Sequence, residues 1–126
     1  MTIDGVISLI SEVKPNQMSK ERLIGWLSDL DRKVFDKIIC THERPAGTPD
    51  VFTGYGIETP GDTVLLIPDT DSEIYRWYLE MQIDLTYREM EKYANSRDLF
   101  NEAYETYKRE YNQRHMPLQR AYTWKF

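Results

Sequence analysis

The chain has 126 residues, of which 40% are hydrophobic and 29% are charged. This length and composition predict one globular domain and argue against a disordered or fibrous protein. Its single cysteine, Cys40, cannot form an internal disulfide or a thiolate metal site. No apolar run approaches the roughly 18 residues of a membrane span, and no export signal begins the chain. We therefore expect a protein that folds in a reducing cytoplasm and has no membrane partner.

The net charge of −5 is unevenly distributed, since residues 108–126 carry +4 and residues 43–73 carry −6. A dedicated binder of nucleic-acid phosphates presents a basic face, so this acidic body argues against that class. The opposite charges of the two segments could complement each other between copies of the chain, or both segments could simply be solvated.

Two helices are predicted in the N-terminal third. Thr2 is a plausible N-cap for a helix from Ile3 to about Val13, whose apolar residues recur at intervals of three and four. Pro15 and Asn16 interrupt the pattern. Ser19 then caps a longer predicted helix from Lys20 to about Thr41, with a leucine-rich stripe facing the core.

The middle of the chain, residues 43–70, is rich in glycine and proline, which excludes a helix there. The β-branched run Thr63–Ile67 predicts a strand. Val51–Thr53 could pair with it, which gives a short β-hairpin insertion. A long irregular excursion of this kind is usually functional or mobile.

The rest of the chain predicts two more helices, from Asp71 or Ser72 to about Ala94 and from Arg97 to about Arg114, with a tight break at Asn95-Ser96. The third helix is apolar on several sides and is therefore expected to be central, with Leu85 in its buried stripe. The predicted fold is a mainly α, small antiparallel bundle of about four helices with a β-hairpin insertion and an extended C-terminal arm. Residues 1–117 form the helical domain and residues 118–126 the arm.

No motif in the sequence indicates a catalytic, cofactor or metal site. His42 and His115 are 73 residues apart, each at a predicted helix end, where the helix dipole explains a histidine without a ligand role. Cys40 and His42 would point in different directions on a helix, so they do not form a nucleophile–base pair. The glycines of Thr53–Gly56 lack the lysine and helix of a phosphate loop and are best explained as turn residues.

The predicted arm is unusually rich in aromatic residues. Chain ends fray unless something holds them, and aromatic side chains are enriched at interface centres, so we expect the arm to dock on this chain or on a partner. The candidate partner-binding residues are Leu118, Arg120, Tyr122, Trp124 and Phe126.

A series of short motifs resembles, in order and spacing, the small head-tail connector (neck or adaptor) proteins of tailed phages and prophages. The motifs are Val13–Asn16, Leu23–Asp31, Thr41-His42, Gly54–Gly56, Leu66–Pro68, Tyr78–Asp84, Asn101–Tyr104 and His115–Pro117. The resemblance covers most of the chain and includes no catalytic signature.

The resemblance implies a structural protein that forms a ring, typically of twelve copies, beneath the portal, extends the DNA channel and docks tail-side proteins. Its implied partners are the portal protein, a tail-side neck or stopper protein and copies of itself, while DNA passes through without sequence-specific binding. It implies a location in the neck of the virion after assembly in the bacterial host cytoplasm. By analogy, the arm contacts the portal and a loop over residues 46–62 faces the channel or the next neck protein. The loop candidates are Phe52, Tyr55, Glu58 and Asp62.

The sequence therefore predicts a non-enzymatic connector without cofactors. An acidic loop suits a channel lining that repels DNA and lets it slide. Two alternatives remain, a generic helical adaptor that binds another soluble protein and a small hydrolase or nuclease that uses carboxylates with a divalent cation.

Overall fold

The structure, a computed structural model, describes residues 1–42 and 51–115 of the chain. It confirms a mainly helical fold with four α-helices, and it contains a π-helical turn over Phe35–Ile39 and a short 3-10 turn over Asp69–Asp71. The helices are α1 (Ile3–Val13), α2 (Lys20–Val34), α3 (Glu73–Thr86) and α4 (Met90–Arg114).

The first two helices begin where the sequence predicts. The Thr2 side chain accepts a hydrogen bond from the Gly5 amide at 3.0 Å, and the Ser19 side chain accepts one from the Arg22 amide at 3.1 Å. Each cap satisfies an amide that has no partner inside its helix. The second helix loses its regular geometry after Val34, where the Cys40 amide donates to the Phe35 carbonyl at 2.8 Å and closes a wider π-helical turn.

Helix α3 is central, as its broad apolar surface predicts, because it contacts α1, α2 and α4. Its side chains Tyr75 and Leu79 are completely buried. The core around them is apolar and continuous, and its other fully buried members are Ile3, Val6, Ile10, Leu27 and Val34 from α1 and α2, and Ile67 from the middle of the chain. Leu85 is an exception to the predicted pattern, since 44% of it is exposed.

The predicted break between the third and fourth helices is wrong. Helix α3 ends at Thr86, eight residues before the predicted end at Ala94, and Asn95 and Ser96 lie inside α4. Arg88 adopts a left-handed backbone conformation with φ 59°, while the Glu89 amide bonds to the Asp84 carbonyl and the Arg88 amide to the Leu85 carbonyl. This pair of bonds is a Schellman motif, which usually has glycine at the left-handed position, and an arginine there is no local signal for a helix end.

The predicted β-hairpin is also absent, since residues 51–67 contain no β-strand and Val51–Thr53 do not pair with Thr63–Ile67. The extended run bonds instead to the start of the chain. The Ile3 amide donates to the Thr63 carbonyl at 3.1 Å, and the Leu65 amide donates to the Met1 carbonyl at 2.9 Å. The first amides of α1 have no acceptors within the helix, and backbone carbonyls of this extended segment accept their hydrogen bonds.

The remaining sequence predictions fall on residues that the structure does not describe. The C-terminal arm, Leu118–Phe126, lies outside the described residues, as do residues 43–50 at the start of the predicted insertion.

Candidate interaction site

A buried carboxylate helps to hold residues 51–67, termed here the anchored loop, against the helices. Asp31 on α2 is completely buried. Its two oxygens accept hydrogen bonds from the Tyr55 hydroxyl at 2.6 Å, the Tyr75 hydroxyl at 2.7 Å and the Leu66 amide at 3.1 Å. The Tyr75 hydroxyl in turn accepts from the Ile67 amide at 2.8 Å. These four residue contacts, termed the Asp31 cluster, join the anchored loop to α2 and α3.

Burial dominates the electrostatics of the Asp31 cluster. Loss of hydration raises the pKa of Asp31, although the hydrogen bonds from Tyr55, Tyr75 and the Leu66 amide oppose the shift. Burial and the neighbouring Asp31 carboxylate raise the pKa values of both tyrosines far above their usual range. Three donors arranged around two carboxylate oxygens leave no buried polar atom of the site unpaired, so the cluster is a structural anchor for the loop.

Two of the predicted loop candidates face the protein's own helices. Phe52 packs on Phe35 with ring centroids 6.0 Å apart and on Tyr55 with centroids 5.2 Å apart at nearly a right angle. The Arg32 guanidinium lies 5.4 Å from the centre of the Phe52 ring. Phe52 and Tyr55 therefore attach the loop to α2 from inside.

The other two loop candidates, Glu58 and Asp62, are exposed. Beside them on the same segment are exposed apolar side chains that are not among the sequence-predicted candidates. Ile57 is 55% exposed and Val64 is 68% exposed. In the extended run, Leu65 and Ile67 are buried, so the alternation of side chains along an extended backbone is the sequence signal that could have identified Val64 as exposed. The outer side of the anchored loop thus combines apolar and acidic groups.

Gly54 in the anchored loop has a backbone conformation that favours glycine. Gly54 has φ 87°, in the left-handed region, and a Cβ atom there would lie 3.0 Å from Ser28 Oγ and 3.1 Å from Arg32 Nη2. The next residue donates its amide, Tyr55 N, to the same Ser28 oxygen at 3.0 Å. Gly54 therefore lets the backbone approach α2 closely enough for Tyr55 to reach Asp31.

A second buried carboxylate, Asp84, joins three of the helices. Asp84 on α3 is buried and accepts hydrogen bonds from Lys14 Nζ at 2.7 Å and from Ser96 Oγ at 2.8 Å. It connects the end of α1 with α3 and α4. Sequence reasoning missed it, because Ser96 resembled a helix cap and the pairing spans 70 residues of sequence from Lys14 to Asp84.

The histidine and cysteine candidates have local structural roles. His42 is buried, its Nδ1 donates to the Ile38 carbonyl at 2.7 Å, and its Nε2 lies against the Asn112 side chain of α4. The His115 ring stacks on Tyr111 with centroids 3.9 Å apart. Over residues 1–42 and 51–115, no three His, Cys, Asp or Glu side chains form a group that could hold a metal ion.

A groove lies between the N-terminal part of α3 and the middle of α4, with a volume of about 320 Å³. Trp77 and Leu99 line it together with the acidic residues Asp71, Glu73 and Glu102. Like the outer side of the anchored loop, this surface combines apolar and acidic side chains.

No protein-family model, curated protein or solved structure matches the chain. In the described part of the chain, no helix is long and apolar enough to cross a membrane.

Proposed function

We propose that this chain is a non-enzymatic head-tail connector of a tailed phage or prophage, which forms a ring of about twelve copies under the portal and docks tail-side proteins. One observation carries the proposal: the anchored loop is fixed from within by the Asp31 cluster while its outer side presents apolar and acidic groups. The order of sequence motifs that resembles connector proteins supports the same function.

A fixed loop suits a docking surface. Binding through a flexible segment costs conformational entropy for every side chain and backbone unit that becomes ordered. Because Tyr55 and Leu66 bind Asp31 in the folded chain, the loop is already ordered before assembly. The entropy of ordering it is therefore lost during folding and does not weaken binding. Ile57 and Val64 then offer preformed apolar contacts to a tail-side partner.

The charge of the same region suits a DNA channel. The anchored loop contains two acidic residues, Glu58 and Asp62, and no lysine or arginine. A channel lined with negative charge repels the phosphate backbone, so DNA passes without being held. In this proposal the basic arm, Leu118–Phe126, contacts the portal, and the loop faces the channel or the tail-side neck protein.

Co-expression with the portal protein encoded in the same gene cluster tests the proposal. We expect the two proteins to co-purify and electron microscopy to show a ring beneath the portal. Replacing both Trp124 and Phe126 with alanine is expected to abolish the portal complex. Replacing Ile57 and Val64 with lysine is expected to preserve the portal complex and prevent addition of the tail-side protein.

The matched control is Val13→Lys, an exposed apolar residue at the end of α1, which is expected to preserve both complexes. Failure of the unmodified protein to bind the portal contradicts the proposal. The same exposed loop would serve a helical adaptor for another soluble protein, and neighbouring genes that encode no portal, capsid or tail proteins would favour that function.

A further inference from the structure

The groove between α3 and α4 has the composition of a peptide-binding surface. Its volume of about 320 Å³ is at the lower end of the range for ligand pockets, roughly 300–1,000 Å³. Leu99 remains 37% exposed on one wall, and Trp77 is partly buried on the other. Apolar walls of this kind accept aromatic or aliphatic anchors.

The charge of the groove is negative. Asp71 and Glu73 lie at the start of α3, Glu102 lies on α4, and no lysine or arginine lines the groove. Arg76, the residue before Trp77, has its guanidinium 4.4 Å from the centre of the Trp77 ring and is already paired with Glu80 at 2.7 Å. The carboxylates of the groove would therefore favour a cationic occupant that also carries apolar side chains.

The chain itself contains such a segment directly after α4. Residues 116–126 carry Arg120 and Lys125, no acidic side chain, and five large apolar or aromatic side chains spaced along the segment. Their charge and composition complement the groove.

The segment is also long enough to reach the groove. Thr106, the lining residue nearest the end of α4, is eight residues before Arg114, which corresponds to about 12 Å along the helix. Leu99 is about 22 Å from the same end. Eleven extended residues span up to about 36 Å, so a chain that reverses near Pro117 can follow the whole groove.

We infer that the segment 116–126 docks in the α3–α4 groove of its own chain. Attachment to α4 gives the segment a high effective concentration at this groove, which favours it over the groove of a second copy. This docking does not depend on the portal assignment, because it concerns only the isolated chain.

Zero-length cross-linking of the full chain with a carbodiimide tests the inference. The reagent joins a carboxyl group to an amine only when the two are in contact, and it is itself hydrated to a urea. We expect mass spectrometry to find an amide between Lys125 Nζ and Asp71, Glu73 or Glu102. In a mixture of ordinary and isotope-labelled chains, the linked peptides are expected to come from one chain.

Three variants make the result specific. Lys125→Arg retains the charge but removes the amine, so the product is expected to disappear. Leu99→Ser is expected to lower its yield about fivefold through loss of apolar contact, whereas the matched surface variant Leu85→Ser leaves it unchanged. Linkage of Lys125 to acids throughout the chain, linkage between labelled and unlabelled chains, or equal yields from the two serine variants would overturn the inference.

Discussion

The anchored loop and the α3–α4 pair are held to the same core by different kinds of interaction. The loop has no regular secondary structure, and its position depends on a few specific hydrogen bonds, to Asp31 and to the backbone of Met1 and Ile3, and on the packing of Phe52. Helices α3 and α4 pack along their length through many apolar contacts, and Asp84 adds a buried polar contact between them. The loop is thus sensitive to single polar groups, whereas the helix pair distributes its stabilisation over many side chains.

This difference has a physical basis. Apolar contacts are individually small and do not depend on direction, so loss of one is partly compensated by its neighbours. A buried hydrogen bond has no such compensation. When either the carboxylate or its donors are removed, the remaining polar groups stay buried and no water replaces the lost hydrogen bonds. Substitutions in the Asp31 cluster should therefore reveal the contrast most clearly.

The largest effect is expected for Asp31→Ala. This change leaves the hydroxyls of Tyr55 and Tyr75 and the Leu66 amide without their acceptor, and each buried donor costs about 1–3 kcal/mol. We expect a loss of at least about 3 kcal/mol in the free energy of unfolding, measured by urea denaturation. Hydrogen exchange should accelerate most at Leu66 and Ile67. The exposed neighbour Asp29→Ala is the control and should change stability by less than about 0.5 kcal/mol.

A pair of leucine substitutions tests the helix faces. Leu30 is buried on α2, so Leu30→Ala should cost about 2–5 kcal/mol through lost transfer energy and a cavity. Leu85 is substantially exposed at the end of α3, so Leu85→Ala should cost less than about 1 kcal/mol. Thermal or chemical denaturation measures both values. Equal costs would show that the side of α3 assigned to solvent is wrong.

High pH should destabilise the protein through its buried tyrosines. The pKa of Tyr75 is raised in the folded state, while in the unfolded chain it returns to its ordinary value of 10.0. Above pH 10 the unfolded state therefore binds fewer protons, and stability falls as pH rises, by up to about 1.4 kcal/mol per pH unit from Tyr75.

Tyrosinate absorbance followed together with circular dichroism measures this effect. Ionisation of the buried tyrosines should coincide with unfolding rather than precede it. Tyr75→Phe should reduce the slope of stability against pH in the same range, and an unchanged slope would contradict the role of Tyr75.

The smallest effects concern two left-handed backbone positions. Arg88, between α3 and α4, has φ 59°, so Arg88→Gly should stabilise the protein by up to about 1 kcal/mol. Gly54, in the anchored loop, has φ 87° and contacts Ser28 and Arg32, so Gly54→Ala should destabilise it by about 1–2 kcal/mol. Equilibrium denaturation measures the change in the free energy of unfolding for each variant. Changes of opposite sign would confirm both backbone conformations, and changes of equal sign would contradict one of them.

Much of the helical structure was predictable because its signals are local. The bounds of α1 and the start of α2 follow from caps at Thr2 and Ser19 and from the spacing of apolar residues within each helix. The end of α3 was not predictable, because Arg88 occupies a position where glycine is the usual signal. Ser96 resembles a helix N-cap, which favours a break between the third and fourth helices at that residue. Its hydroxyl bonds instead to Asp84 on the neighbouring helix.

The candidate site was predictable only in part. The exposed charges Glu58 and Asp62 follow from the polarity of the segment. The inward positions of Phe52 and Tyr55 do not, because the partners that hold them lie on α2, about twenty residues earlier in the sequence. An aromatic residue in a glycine-rich segment has the same local pattern whether it binds a partner or its own core.

Four amphipathic helices around one core can be predicted from local patterns, because helix caps and apolar periodicity act over a few residues. The buried polar groups that join the helices are recognisable only in the folded chain. Asp31 and Asp84 are ordinary surface residues by sequence pattern, and each becomes an anchor only when folding brings its hydrogen-bond donors from distant segments. The position of the loop depends on that convergence, since a buried carboxylate is stable only where its donors meet it.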